Sequence, residues 1–170
     1  CRSIGWESFS ACSLISVNIP RNVSFIDKLA FNRCYKLVSI NVDSENRWYA
    51  SIDGMLCDKK QETLIYYPAA GKKIINIPNT VKEINEYAFY DCIYQEKLNI
   101  PSETVTIPYG IFKFLSGLSF IDVDVNSACF TSIDGVLYDK SVSELIACPR
   151  LKDEITILDG IQTISPFAFY

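Results

Sequence analysis

The chain of 170 residues contains no histidine. That removes both the commonest general base and the commonest transition-metal ligand. Its seven cysteines are odd in number and include no C-x-x-C pair, so neither a zinc site nor a complete disulfide framework is indicated. Seven glycines and seven prolines are too few for a low-complexity or collagen-like chain. No apolar run approaches the roughly 18 residues of a membrane span. No leader pattern is visible either, although a cleaved signal would leave none. The 16 basic residues are scattered among 20 acidic ones, for a net charge of −4 and a pI near 4.9. A phosphate backbone needs a clustered basic footprint, so this balance argues against nucleic acid.

What is present is a repeat, and 49% hydrophobic residues with which to bury it. Sliding the segment from Ile19 to Val42 forward along the chain superposes Ile19 on Ile77, Pro20 on Pro78, Val23 on Val81 and Ile26 on Ile84. The same shift carries Ala30-Phe31 onto Ala88-Phe89 and Cys34 onto Cys92. A further, shorter shift carries Ile77 onto Ile100, Ile84 onto Ile107 and Phe89 onto Phe112. Ile4, Phe9, Cys12, Leu14, Val17 and Ile19 begin the pattern, and Ile157, Ile161, Ile164 and Ala168-Phe169 begin it again. That makes five copies, two of them partial.

A second, longer unit interrupts the rhythm twice. Ser51-Ile-Asp-Gly-Met-Leu-Cys-Asp-Lys59 returns later in the chain as Ser132-Ile-Asp-Gly-Val-Leu-Tyr-Asp-Lys140. Each copy has an apolar run, a polar stretch (Lys60 to Thr63, or Ser141 to Glu144), and a second apolar run ending at Pro68 or Pro149. This reads as a β-hairpin, set either as an enlarged rung or as a protrusion from one edge. The single domain 1–170 therefore divides into repeats over about 1–19, 19–42, 77–100, 100–123 and 157–170, with hairpin insertions over about 43–76 and 124–156.

In each repeat Leu-x-x-Ile-x-Ile alternates with period two and then usually meets a proline, which predicts a short strand with one buried face. The following V-x-x-I and A-F-x-x-C have a spacing of three, which predicts single helical or 3-10 turns on the opposite side. No unit this short can bury its own apolar face, so the units must stack. The expected architecture is a solenoid whose short parallel strands form one sheet, with a phenylalanine column (Phe9, Phe31, Phe89, Phe112, Phe169) as its spine.

The pattern A-F-x-x-C-x-x-L-x-x-I-x-I-P-x-x-V-x-x-I closely resembles the BspA-like leucine-rich repeat, and the SIDGVLYDK hairpin looks like an insertion found within that family. The resemblance covers essentially the whole chain. It implies a cell-surface or secreted, non-catalytic protein that adheres to host proteins or to other cells, with no cofactor. The family has no fixed binding motif, so it carries no functional residue over to this chain. Gln95 departs from the pattern where leucine is wanted, beside the first hairpin.

Strand residues that point away from the core are the natural ligand surface. By register they form one column of Asn18, Asn41, Asn76, Asn99, Asp122 and Thr156, and another of Ser16, Ser39, Ile74, Lys97, Phe120 and Glu154. The asparagines also suit a simple hydrogen-bonded ladder along the stack. Asn18, Asn41, Asn76, Asn99, Asp122, Lys97 and Phe120 are the candidate binding residues, with Phe120 the most provocative because its ring sits on a polar face. Cys12, Cys34 and Cys92 share one repeat position and read as buried thiols, since a nucleophile has no histidine to serve it. A Cys129–Cys148 link is conceivable but unsupported by sequence. The repeated Asp53-Gly54 and Asp134-Gly135 read as turn chemistry. The pairs Asp122 with Asp124 and Asp43 with Glu45 fall short of a calcium site. Asn22-Val23-Ser24 is a glycosylation sequon whose valine belongs to the core.

Trp48, Tyr49, Tyr66, Tyr67 and Tyr138 gather on the hairpins, where packing is favoured over a platform for sugars. Cys1 occupies the slot of Val23, and Tyr170 follows Ala168-Phe169, so the chain reads as a piece of a longer array. The leading expectation is a module that binds a protein ligand, such as a host matrix or cell-surface protein. The alternatives are a passive scaffold or stalk, and a glycan-binding module using the hairpin aromatics.

Overall fold

Where isoleucine and leucine alternate with polar residues, the chain forms the strands expected of it. In the computed structural model, which describes residues 1–170, these are β2 (Ser16–Ile19), β4 (Ser39–Val42), β8 (Ile74–Asn76), β10 (Lys97–Ile100) and β11 (Phe120–Val123), numbered in chain order. They pair in parallel, Ser16 with Ser39 and Asn18 with Asn41 in the first set. In the second, Ile74 pairs with Lys97 and Lys97 with Phe120. The alternate residues Val17, Ile40, Ile75, Leu98 and Ile121 are buried, which is why the register is fixed: a slip of one residue would expose the whole apolar set. The result is a β-solenoid of about seven turns with little helix.

The V-x-x-I segments, expected as turns, instead carry a second column of two-residue strands. These are β1 (Ser3–Ile4), β3 (Phe25–Ile26), β9 (Glu83–Ile84) and β15 (Thr163–Ile164). β1 and β3 pair in parallel, and Glu83 bridges to Thr106 on the next rung. The isoleucine of the first three is buried, so stacking rungs supply a ladder that one isolated turn could not. The A-F-x-x-C segments are true turns, closed by Cys34 N–H to Phe31 O and Cys92 N–H to Phe89 O. Only Tyr109–Phe114 lengthens into a 3-10 helix.

Each insertion has three strands: β5 (Tyr49–Ile52), β6 (Met55–Asp58) and β7 (Thr63–Tyr66), then β12 (Phe130–Ile133), β13 (Val136–Asp139) and β14 (Glu144–Ala147). Neighbouring strands are antiparallel within each unit. β7 and β14 then pair in parallel with β9 and β15 of the second column. Asp53-Gly54 and Asp134-Gly135 make the two-residue turns, with positive φ at all four residues. The runs Met-Leu-Cys and Val-Leu-Tyr are buried throughout, which marks strands covered on both faces. Leu56 and Tyr66 face the rungs before the hairpin, whereas Cys57, Leu64 and Tyr67 face those after it. The insertion is thus an enlarged rung within the stack, not a protrusion.

Three sequence expectations need correction. The parallel strands do not make one sheet: the first hairpin separates β2-β4 from β8-β10-β11. The core divides at the same hairpins into three clusters, of 12, 22 and 5 buried residues along the chain. Glu154 and Thr156 do not join the outward columns, because residues 154–156 form no strand. Phe169 is not a spine residue; it is 52% exposed, while Ala168 beside it is buried. The spine instead recruits hairpin tyrosines. Phe9 stacks on Phe31 at 5.5 Å, Phe31 meets Tyr66 at 5.5 Å, and Tyr67 meets Phe89 edge-on at 6.2 Å.

Gln95 is fully buried, and its amide donates to Ala69 O at 3.1 Å. Its departure from leucine therefore ties the end of the first insertion to the next rung. In the second hairpin's polar loop, Asp139 accepts from Ser143 N–H at 2.7 Å and Glu144 N–H at 2.6 Å, and from the Ser141 hydroxyl. Partial desolvation pushes its carboxyl up, but these hydrogen bonds outweigh it and hold the group below the usual range. A depressed folded value stabilises above the unfolded pKa and loses that contribution as pH falls through the folded one. Acid unfolding of Asp139→Asn should therefore be flatter below about pH 4 than that of the parent. Coincident acid limbs would show that the loop hydrogen bonds add no stability.

Candidate binding face

The outward faces of the two parallel sheets, β2-β4 and β8-β10-β11, carry all seven candidate binding residues in two separate groups. Asn18 and Asn41 lie on the first pair of strands, where Asn41 Nδ2 donates to Asn18 Oδ1 at 3.2 Å. Asn76, Asn99, Asp122, Lys97 and Phe120 lie beyond the hairpin, with Asn99 Nδ2 donating to Asn76 Oδ1 at 2.7 Å. The asparagine ladder therefore forms, in two pieces. It ends at Asp122, which cannot donate to Asn99 Oδ1 when ionised, and that oxygen is left buried without a partner.

Lys97, Phe120 and Asp122 form one cluster. Lys97 Nζ donates to Asp122 Oδ2 at 2.9 Å and sits 5.3 Å from the centroid of the Phe120 ring. The ring lies over Gly135, where a Cβ would come within 2.6 Å of it. Phe120 thus covers the second hairpin turn while 39% of it remains exposed. Beside this cluster, Asn76, Asn99, Asp122 and Asp124 line a shallow groove along the strand ends. No group of three or more Asp, Glu, Cys or His side chains converges in a way that could hold a metal ion.

The cysteines stand apart from this face. Cys34 donates its thiol to Phe9 O at 2.8 Å and Cys92 to Tyr67 O at 3.6 Å, each reaching back to the preceding rung. Burial pushes the Cys57 thiol up to about 12 and the Cys92 thiol well above its ordinary value. Such thiols stay protonated and are poor nucleophiles. All seven cysteines, Cys129 and Cys148 included, are free.

The five hairpin aromatics do not make a platform. Tyr66, Tyr67 and Tyr138 are buried and Tyr49 is partly so; only Trp48, at 46%, is largely exposed. Tyr49 accepts from Ile26 N–H, and Tyr66 and Tyr67 donate to Phe31 O and Lys72 O. A different set of rings clusters among the A-F-x-x-C turns, unforeseen in the sequence. Tyr87, Tyr90 and Phe114 lie within 6.2 Å of one another, with Lys28 over Tyr87 and Lys113 over Phe114. The Tyr87-x-x-Tyr90 spacing within one turn was the available signal.

Comparison with known proteins agrees with this geometry. A model of the BspA type leucine rich repeat region matches six copies over residues 1–52 and 67–170, one copy more than self-alignment resolves. No curated protein matches the sequence. Among solved structures, a leucine rich cell surface protein from Faecalibacterium prausnitzii is similar over 99% of this chain and 42% of its own, at 26% identity and a TM-score of 0.64. A leucine-rich repeat protein from Eubacterium ventriosum is similar over 71% of this chain and 39% of its own, at 22% identity and a TM-score of 0.58. The pneumococcal vaccine antigen PcpA is similar over 96% of this chain and 33% of its own, at 20% identity and a TM-score of 0.54. The chain thus spans well under half the length of these structures, and the latter two, with their lower identities, speak to the fold alone. No helix is long and apolar enough to cross a membrane. The repeat pattern, the stacked parallel strands and the matched residues lead to one conclusion: the chain belongs to the BspA type leucine rich repeat family.

Proposed function

We propose that this chain is a non-catalytic, protein-binding module of a cell-surface or extracellular protein, and that it engages its partner through the outward face of the β8-β10-β11 sheet. The observation that carries this reading is the cluster of Lys97, Phe120 and Asp122. It presents a half-exposed ring, a cation and a carboxylate on one rigid parallel sheet. Aromatic and cationic side chains on a preorganised surface are what protein partners use as anchors. The description of the Faecalibacterium relative as a cell surface protein supports the location, and an adhesive role on host matrix or cell-surface proteins fits both. Sugars are the less favoured ligand, because the hairpin rings are spent on packing.

Binding to matrix proteins, mucins and glycans immobilised in parallel tests this. A Lys97→Ala, Phe120→Ala double variant is expected to lose at least tenfold in affinity for whichever protein is captured, with an unchanged circular dichroism spectrum. Capture that survives the double variant moves the site to the hairpins. Failure to bind any of them favours a scaffold that spaces other domains.

A further inference from the structure

The β11-β10-β8 sheet leaves one edge unpaired, and hydrogen bonds show which one. β4 closes its outer edge on the first hairpin: Ile40 N–H donates to Gly54 O at 2.8 Å and Val42 N–H to Ser51 Oγ at 3.1 Å. β11 does the same on the second, through Ile121 N–H to Gly135 O and Val123 N–H to Ser132 Oγ. β8, on the far side of the first hairpin, has no such closure. It pairs only with β10, and no other strand lies alongside it. Lys97 N–H donates to Lys73 O and Ile77 N–H to Asn99 O, so residues 73, 75 and 77 direct their backbone groups towards β10. By the alternation of a parallel ladder, Ile74 and Asn76 direct theirs to the open edge, where neither N–H finds a protein acceptor.

A groove of about 180 Å³ runs along this edge, between Ser39 of β4 and Ile74 and Asn76 of β8, lined also by Met55, Tyr67 and Pro68. Ile74 is 47% exposed beside it. Asp53 on the hairpin turn also lines it, and its carboxylate makes no ion pair.

The second hairpin supplies an internal comparison. Asp134 is the counterpart of Asp53 there, and Lys152 Nζ pairs with its Oδ2 at 2.7 Å while also donating to its backbone carbonyl. That lysine side chain is only 18% exposed. The same correspondence between the insertions places Gly71 where Lys152 stands. A Cβ there would meet the Tyr67 ring at 2.6 Å, so the ring that lines the first groove takes the space a side chain would need. Lys152 therefore pairs with the second acid, whereas the first pairs with no cation, Lys72 lining the same groove without reaching its carboxylate.

Resting on the protein-binding reading above, we propose that this slot takes an extended peptide segment of the partner as an added strand on β8. A lysine or arginine of the segment pairs with Asp53, and an apolar side chain enters against Met55 and Tyr67. Backbone hydrogen bonds to Ile74 and Asn76 supply affinity, and the groove and the acid supply selectivity.

The test uses the whole chain and a fluorescein-labelled peptide, Lys-Leu-Val-Ser-Ile-Asn-Val, the sequence of the chain's own rung at residues 36–42. Fluorescence anisotropy is expected to show saturable 1:1 binding. Asp53→Asn should weaken it about fivefold, and asparagine tolerates the positive φ of the turn, so folding is preserved. Asp134→Asn should leave it unchanged. N-methylation of alternate peptide amides should weaken it about tenfold in the one register that faces β8. No binding up to millimolar peptide, or equal binding by both asparagine variants, overturns the slot. A dimer that forms without peptide and dissociates in Asp53→Asn would assign the slot to a second copy of the chain, and so overturn the partner segment. Capture of a surface protein that persists in Asp53→Asn while the peptide fails to bind removes the slot alone. Peptide binding without any capture removes the broader reading alone.

Discussion

Phe89→Ala is expected to lower stability by about 3–5 kcal/mol, the range for removing a fully buried phenylalanine that its neighbours cannot replace. Phe89 has no exposed surface and belongs to the central cluster of 22 buried residues, which spans everything between the two hairpins. Its ring meets Tyr67 from the preceding insertion. Collapse around the void is limited, because the flanking rungs are held at strand spacing by their own ladders. In a solenoid each rung is stabilised by its neighbours, so the loss should not spread evenly. Urea unfolding should show a lowered midpoint, and hydrogen exchange should lose protection first across residues 63–92. A change below about 1 kcal/mol would mean that the aromatic spine is not continuous through the hairpin, and that the ladders alone hold the rungs together.

The main strand column was legible because alternation with period two is a strong signal, and because the repeats put like residues on like. The two outward columns follow from the same register, so Lys97, Phe120 and Asp122 were already adjacent on paper. The second strand column was not legible. Each of its strands has only two residues, the first three bury just one, Ile4, Ile26 or Ile84, and a spacing of three between apolar residues looks the same as a turn. β5 was hidden for a related reason: all four residues of Tyr49–Ile52 are half-buried, so no alternation marks it. The spine's passage through Tyr66 and Tyr67 was hidden because the hairpin runs in its own register, off the frame of the repeat. The slot beside β8 could not be read from any residue, since it consists of a strand that is not there. What could be read was the pairing of its acid with Gly71 in one insertion and with Lys152 in the other.

Asn46→Ala should cost about 3 kcal/mol, a large effect for a polar residue, and the reason lies in the way the insertion is fastened to the stack. Asn46 is 1% exposed and occupies the repeat slot held by Val23 one rung earlier. Its Nδ2 donates to Pro20 O and Val23 O, both at 3.0 Å, in that earlier rung. Its Oδ1 accepts from Trp48 N–H at 2.8 Å and Tyr49 N–H at 2.9 Å, where β5 begins. One side chain thus satisfies four backbone groups at a point where the chain leaves the regular rung and no ladder can do so. Alanine removes this partner from all four, although Pro20 O keeps Val23 N–H, and each group left dry and unpaired costs about 1–3 kcal/mol. Water reaching the Trp48 side, which is exposed, recovers part of this. Ser127 provides the control at the equivalent place in the second insertion, since its hydroxyl serves only Phe130 N–H, at 3.2 Å. Ser127→Ala should cost about 1 kcal/mol. Equal losses in the two variants, measured by urea denaturation, would show that the extra hydrogen bonds of Asn46 are made no better than their counterparts with water. A threefold difference would show that the first insertion is pinned by this one amide, and would explain why a large polar side chain sits where the repeat asks for valine.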